Sequence, residues 1–248
     1  MKTVSKKSVI TLVLVLFMAS MNGAQAQLNK KVPEAERILE NYVLAIGGAE
    51  NLAKIKSIES FSVLTFIETG LVLDRKIVED HTGNYFIKVS SPETGEITRG
   101  FDGMVCWEKR ESGSRIIEGE EKNTFLNSAS LLRFANWKKL LATFEYKGLH
   151  QVDGIDLHKI YIETLYGAKE NWYFSKSNNL LARIEEPMDT SLDEATIVTT
   201  FEDYREINGI KHAFTQYIKM PGRTRKIVFS GITHNQKVDN KMYSLSEN

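Results

Sequence analysis

"FEDYREINGIKHAFTQYIKM", residues 201–220, sets two aromatic-rich runs on either side of Asn208-Gly209. Asn-Gly favours the positive φ values that both central residues of a type I′ turn require, so the stretch predicts a β-hairpin with a fixed register. In that register Thr199 faces Ile218, Phe201 faces Gln216, Asp203 faces Phe214 and Ile207 faces Ile210. The alternate pairs are Glu202 with Thr215, Tyr204 with Ala213 and Glu206 with Lys211. Successive strand residues point to opposite faces, so the first set forms an apolar face and the second a wet one. An antiparallel sheet with one buried side is the structure that uses such a strand pair.

Working outward, turn signals recur. Those at Glu68-Thr69-Gly70, His81-Thr82-Gly83-Asn84, Asp102-Gly103 and Ser112-Gly113-Ser114 divide Ile58 to Ile117 into about six strands. Strands resume at Phe144, with turns at Asp153-Gly154, Ser177-Asn178-Asn179 and Asn208-Gly209, and a last strand covers Lys226 to Ile232. Three stretches read as helix instead. Pro33 to Ala45 places Ile38, Leu39, Tyr42 and Val43 at helical spacing, and Gly47-Gly48 stops it. Ala49 to Lys56 predicts a shorter helix, and Glu120 to Thr143, without glycine or proline, predicts one or two more. A propeller needs a repeat, which is absent. A sandwich would leave the mid-chain helices outside. The expected fold is therefore mainly β with a few α-helices, a strongly curved antiparallel sheet holding helices on its concave face.

The ends of the chain set its compartment. Lys2, Lys6 and Lys7 precede the apolar run Val9 to Ala19, and Ala24-Gln25-Ala26 has signal-peptidase spacing. Residues 1–26 therefore read as a cleaved secretory leader, too short to span a bilayer, and 27–248 as one domain. The expected location is the periplasm, in soluble form. Cys106 is the lone cysteine, so the domain is expected to fold without a disulfide, and no cysteine near the cleavage point is placed to carry a lipid anchor. Basic and acidic residues balance at 32 each, so no field recruits nucleic acid.

Candidate chemistry is sparse. His150 faces Leu157 and His158 faces Leu149 across Asp153-Gly154, on opposite sides of the sheet, so they cannot share an ion. His81, His212, beside the Asn208-Gly209 turn, and His234 read as scattered surface residues, and neither a metal nor a cofactor is expected. Cys106, within "GMVCWEK", reads as a small buried residue. Glu120-Glu121, Glu185-Glu186 and Asp193-Glu194 read as solvated charge at element ends or loops. No nucleophile elbow or phosphate loop is present, and no enzyme activity is expected. Apolar surface, by contrast, is plentiful. Leu64 and Phe66 alternate with Phe61, Val63 and Ile67, and Trp172 and Phe174 flank Tyr173, so these strands have two faces to cover.

Six phrases in order carry a resemblance: "LAIGGAENLAKIKSI" (44–58), "GFDGMVCWE" (100–108), "VDGIDLHKIYI" (152–162), "WYFSKSNNLLAR" (172–183), "FEDYREINGIKHAF" (201–214) and "ITHNQKVDNKMYSL" (232–245). Together, behind a leader, the chain resembles the exported outer-membrane lipoprotein-sorting proteins, the LolA/LolB-like family. The resemblance implies a half-open β-barrel of roughly eleven strands, lidded by helices, that carries lipoprotein acyl chains through the periplasm. It implies lipid or lipoprotein acyl chains as partners, with inner- and outer-membrane sorting partners beside them, and a monomer. Leu64, Phe66, Trp172, Phe174, Phe201 and Phe214 are then the expected cavity lining. Leu131, Leu132, Phe134, Leu140 and Leu141 are the expected lid. The alternatives are an envelope sensor or assembly module that binds a protein partner and, behind it, a secreted hydrolase.

Overall fold

The computed structural model describes residues 33–129, 131–188 and 195–245. The proposed leader and Asp193-Glu194 lie outside them. The first meander comprises β1 (Ser57–Phe66), β2 (Val72–Asp80), β3 (Tyr85–Ser91), β4 (Gly95–Phe101), β5 (Cys106–Arg110) and β6 (Gly113–Ile117). The second comprises β7 (Leu141–Val152), β8 (Ile155–Thr164), β9 (Lys169–Ser175), β10 (Leu181–Met188), β11 (Ala195–Ile207), β12 (Ile210–Met220) and β13 (Arg223–His234). β13 pairs antiparallel with β1, which joins the two meanders into one thirteen-stranded sheet running from β6 to β7. β6 and β7 do not pair with each other, so the strongly curved sheet is a half-open barrel. The resemblance implied about eleven strands. The described residues form thirteen.

The opening hairpin has the predicted register, from Thr199 with Ile218 to Ile207 with Ile210. Its turn residues take the required positive φ, 50° at Asn208 and 79° at Gly209. One face assignment fails. Tyr204, expected on the wet side, is half-buried and donates its hydroxyl to the Leu181 carbonyl at 2.8 Å. Asp203 next to it takes φ 52°, a break in extended backbone that ends the simple alternation of faces. In the first meander the sequence reading omits one turn, at 92–94, where Ser91 and Thr94 hydroxyls pair at 2.9 Å.

Helices cover the concave face. α1 (Glu34–Ala45) buries Ile38, Leu39 and Tyr42, the last packing on Phe174 at 5.3 Å between rings. The chain then turns at Gly47, where a Cβ would lie 2.3 Å from the Gly209 carbonyl oxygen. Glycine is required there by contact as well as by its φ of 139°. The Lys211 amide donates to the Ile46 carbonyl at 2.8 Å, so α1 is fastened to the opening hairpin. α2 (Ala49–Leu52) is shorter than predicted.

The segment between the meanders crosses the same face. It holds α3 (Gly119–Ser128) and α4 (Trp137–Leu140), but residues 131–136 are hydrogen-bonded turns and Leu141 already belongs to β7. The expectation of one or two helices over Glu120 to Thr143 is met by α3 and α4, but most of the expected lid, 131–136, is turn rather than helix. Leu132 takes φ 51°, outside the helical region, and Asn136 Nδ2 donates to the Leu131 carbonyl at 2.7 Å, which stabilises the turn. Two cores result. The larger packs α1, Leu131, Trp137 and Leu140 on the second meander, and the smaller packs Phe125 of α3 on Tyr85, Cys106 and Ile117.

Candidate functional site

Between the two cores the concave face is not filled. A cavity of about 470 Å³ lies there. β1 and β13 supply Ile58, Ile227, Phe229 and Ile232, β2 and β3 supply Arg75, Ile77, Glu79, Tyr85 and Ile87, and β10 to β12 supply Ile184, Glu186, Phe201 and Ile218. The roof is Tyr42 and Ile46 from α1 and the turns Leu132 to Ala135. A second hollow of about 260 Å³ shares Tyr85, Ile87 and Ser128 with the first and continues it towards Val89, Ile97 and Phe125. Clefts of roughly 300–1,000 Å³ with apolar walls and a few placed polar groups are the usual form of small-molecule sites.

The roof is clasped to the sheet by a buried carboxylate that sequence reading missed. Glu170 on β9 is 1% exposed. Its Oε1 accepts from Asn127 Nδ2 at 2.9 Å and from Arg133, and its Oε2 accepts from Trp172 Nε1 at 2.6 Å. Arg133 in turn donates to the Asn127 carbonyl at 2.7 Å and lies over the Phe134 and Trp172 rings. The signal was present in "KENWYFS": Glu170 is in phase with Trp172 and Phe174, a charge on the apolar face of its strand.

The expected lining residues divide. Phe201 is on the cavity wall, where Phe134 packs edge-on against it at 5.6 Å. Trp172 and Phe174 are fully buried in the larger core, covered by Phe134 and Tyr42 rather than open to the cavity. Phe214 is buried behind the wall, 6.5 Å from the Phe229 ring. Leu64, paired with Leu73 and with the wall residue Ile227, does not itself line the cavity, and Phe66 is stacked under Arg225 at 5.2 Å. Of the expected lid residues, Leu132 and Phe134 face the cavity, whereas Leu131, Leu140 and Leu141 pack in the core.

Charged groups in the wall were also missed. Burial pushes the Glu79 carboxyl up to about 8. Burial, then the Glu170 charge, raises Glu186, and burial works against the charge of Arg75. Of the acid pairs read as solvated, Glu120 and Glu121 are exposed in the first turn of α3, whereas Glu185 and Glu186 lie half-buried within β10. Glu185 accepts from the Tyr173 hydroxyl at 2.5 Å beside Glu186 in mid-strand, and Glu121 accepts from Arg115 at 2.6 Å. Near the β6 edge Glu108 accepts from Arg99, Arg110 and Arg115. Burial pushes its carboxyl up, but these three arginines outweigh burial and hold it at about 2.

The histidines need a correction as well. His212 and His234 are not scattered, since their Nε2 atoms lie 2.9 Å apart at one end of the cavity wall. Burial first, then the His234 charge, lowers His212 to about 4, so the pair is neutral at neutral pH. His150 faces Leu157 and His158 faces Leu149, as the register predicted. Cys106 is fully buried and its thiol is pushed up to about 11, chiefly by burial. Among the described residues no group of three or more histidine, cysteine, aspartate or glutamate side chains is placed to hold a metal.

Comparison with solved structures places this architecture. A DUF1329 family protein from Desulfovibrio piger superposes with a TM-score of 0.61 at 15% identity, over 86% of this chain and 98% of its own. A LolA superfamily protein from Nitrosomonas europaea gives 0.60 at 11% identity, over 85% and 97%. The chain has the LolA-superfamily fold. A candidate outer-membrane lipoprotein-sorting protein domain from Vibrio parahaemolyticus gives 0.58 at 9% identity, over 85% of this chain and 96% of its own. No family model and no curated protein sequence matches the chain. In this LolA-type frame the cavity lies on the concave face, and among the described residues no helix is long and apolar enough to cross a membrane.

Proposed function

We propose that the chain is a soluble periplasmic carrier that shelters acyl chains of lipids or lipoproteins in the concave cavity, on the way to the outer membrane. The observation that carries this reading is the 470 Å³ space left between two well-packed cores, walled mainly by aliphatic and aromatic side chains and continued by a second apolar hollow. Burying acyl surface is worth about 0.8 kcal/mol per methylene, so a chain of roughly sixteen carbons resists release into water by roughly 12 kcal/mol. A carrier needs a closed space of this kind, and a way to open it.

The crossing segment supports a lid role. Leu132 to Ala135 form the roof, held to β9 by the Arg133–Glu170 pair and by Phe134 packed on Trp172. In this reading Phe201, Leu132 and Phe134 touch the acyl chain, while Trp172, Phe174 and Phe214 support them from behind. Delivery would engage membrane partners at either face of the periplasm. A fluorescent fatty acid titrated into the mature domain should bind at micromolar concentration and be displaced by a lipopeptide. An empty protein by native mass spectrometry, together with no probe binding, would leave the carrier reading without support.

A further inference from the structure

Among the described residues the one group that answers Arg75 electrostatically is the Tyr85 phenol, which carries no charge at neutral pH. Arg75 projects from β2 into the cavity in phase with Ile77 and Glu79, between Ser62 of β1 and Val89 of β3. Among the described residues no carboxylate lies within ion-pair distance of its guanidinium and no hydrogen bond is made to it, although it is half-buried. Every other charge in the wall is accounted for. Arg133 is bound to Glu170, Lys211 is exposed, and His212 is neutral against His234. Burial holds Glu79 at about 8, neutral at neutral pH, and pushes Glu186 up as well, and neither carboxylate is in ion-pair reach of Arg75.

A half-buried guanidinium without a protein acceptor stays open to a ligand's oxygens, and a planar fork of donors fits a carboxylate or phosphate better than any other group. Besides polar members such as Tyr85, Thr199 and Gln216, the wall offers Ile77, Ile87, Phe229 and Phe201 as apolar surface for the rest of a ligand. We infer that the cavity selects an amphiphile with an oxyanion head, a carboxylate or a phosphate, which Arg75 binds while the acyl tail lies along the apolar wall. The inference rests on the carrier reading and narrows it from acyl chains in general to acidic ones. A neutral ester or alcohol of the same chain would leave the guanidinium unanswered.

The test compares two probes that differ only in charge, dansyl-labelled undecanoic acid and its methyl ester, on the mature domain. A charge-assisted pair in a sheltered site should favour the acid by about tenfold or more. Arg75→Met should remove that preference while the ester binds as before, and Arg75→Lys should retain part of it. Displacement by palmitate against palmitoyl lysophosphatidic acid then tells a carboxylate head from a phosphate head. Equal binding of acid and ester by the wild type overturns the inference without any variant, and leaves the carrier reading standing. A preference that survives in a folded Arg75→Met protein overturns it too. If neither probe binds, the carrier reading fails and this inference fails with it.

Discussion

Replacing Glu170 by alanine tests the clasp on the roof. In the wild type one carboxylate, 1% exposed, receives Arg133, Asn127 Nδ2 at 2.9 Å and Trp172 Nε1 at 2.6 Å. Its removal leaves a guanidinium 13% exposed without its counter-ion. Breaking one side of a buried ion pair costs about 3–5 kcal/mol, and an unsatisfied buried neutral donor about 1–3 kcal/mol. These costs share one site and do not add, so a total near 4 kcal/mol is expected if the segment stays in place. The segment has a cheaper course, because Arg133 and Asn127 can reach water if residues 119–140 lift. The expected result is therefore uneven. Amide exchange should rise strongly in 119–140, with a smaller change in β1 and β13, and acyl-probe exchange should quicken. Glu170→Gln should fall between wild type and alanine, since it keeps an acceptor but loses the charge. Unchanged melting together with unchanged exchange in 119–140 would refute the assignment of Glu170 as the clasp.

Three further outcomes follow from the same structure. Glu79, ordinarily near 4.5 and held at about 8, stays protonated in the fold while the unfolded chain ionises, so its contribution to stability falls as pH rises between those values. The slope is at most ~1.4 kcal/mol per pH unit. His212, ordinarily 6.5 and lowered to about 4, acts in the opposite sense, its contribution falling as pH drops from the first value to the second. Urea titrations across pH should thus show Glu79→Gln flattening the loss between pH 6.5 and 8; from 6.5 down to 4.5 the two contributions oppose, so Glu79→Gln should expose a loss on acidification and His212→Gln a gain, and no change in either range would refute the charge states. Gly47→Ala should destabilise by ~1–3 kcal/mol, because its Cβ meets the Gly209 carbonyl at 2.3 Å, and a wild-type melting temperature would contradict that contact. Phe214→Lys should cost ~3–5 kcal/mol while Thr215→Lys, on the other face, stays within ~0.5 kcal/mol, and the reverse order of melting temperatures would refute the hairpin's facing.

The strand pattern was readable where turn chemistry was local. Asn208-Gly209 and Asp153-Gly154 each fix a two-residue turn, and the pairings they imply hold along both hairpins until a bulge intervenes, as between Tyr146 and Gly148. What the local rules do not carry is non-local pairing. That β13 returns to β1 is decided by which edges remain after each meander has formed, and no dipeptide encodes it. The meeting of His212 with His234 follows from the β12–β13 hairpin, whose turn at 221–222 the sequence reading does not assign, which is why five histidines read singly looked scattered.

The site was less legible for a related reason. Period-two patterning tells which side of a strand is apolar, but not whether that side meets a neighbour or a void. Trp172, Phe174 and Phe201 carry the same sequence signal, yet Tyr42 and Phe134 cover the first two, while Phe201 keeps a share of the cavity wall. The charges told more than the aromatics. Arg75, Glu79 and Glu170 all sit in phase with buried apolar neighbours, where desolvation would expel a charge that had no task or partner. Glu170 has its partners in Arg133, Asn127 and Trp172, and Glu79 meets burial by holding its proton. Arginine has no such exit, since it does not release its proton in proteins. Among the described residues Arg75 is therefore the charged wall residue that, though half-buried, no carboxylate balances, and a ligand's oxyanion is the group that would balance it.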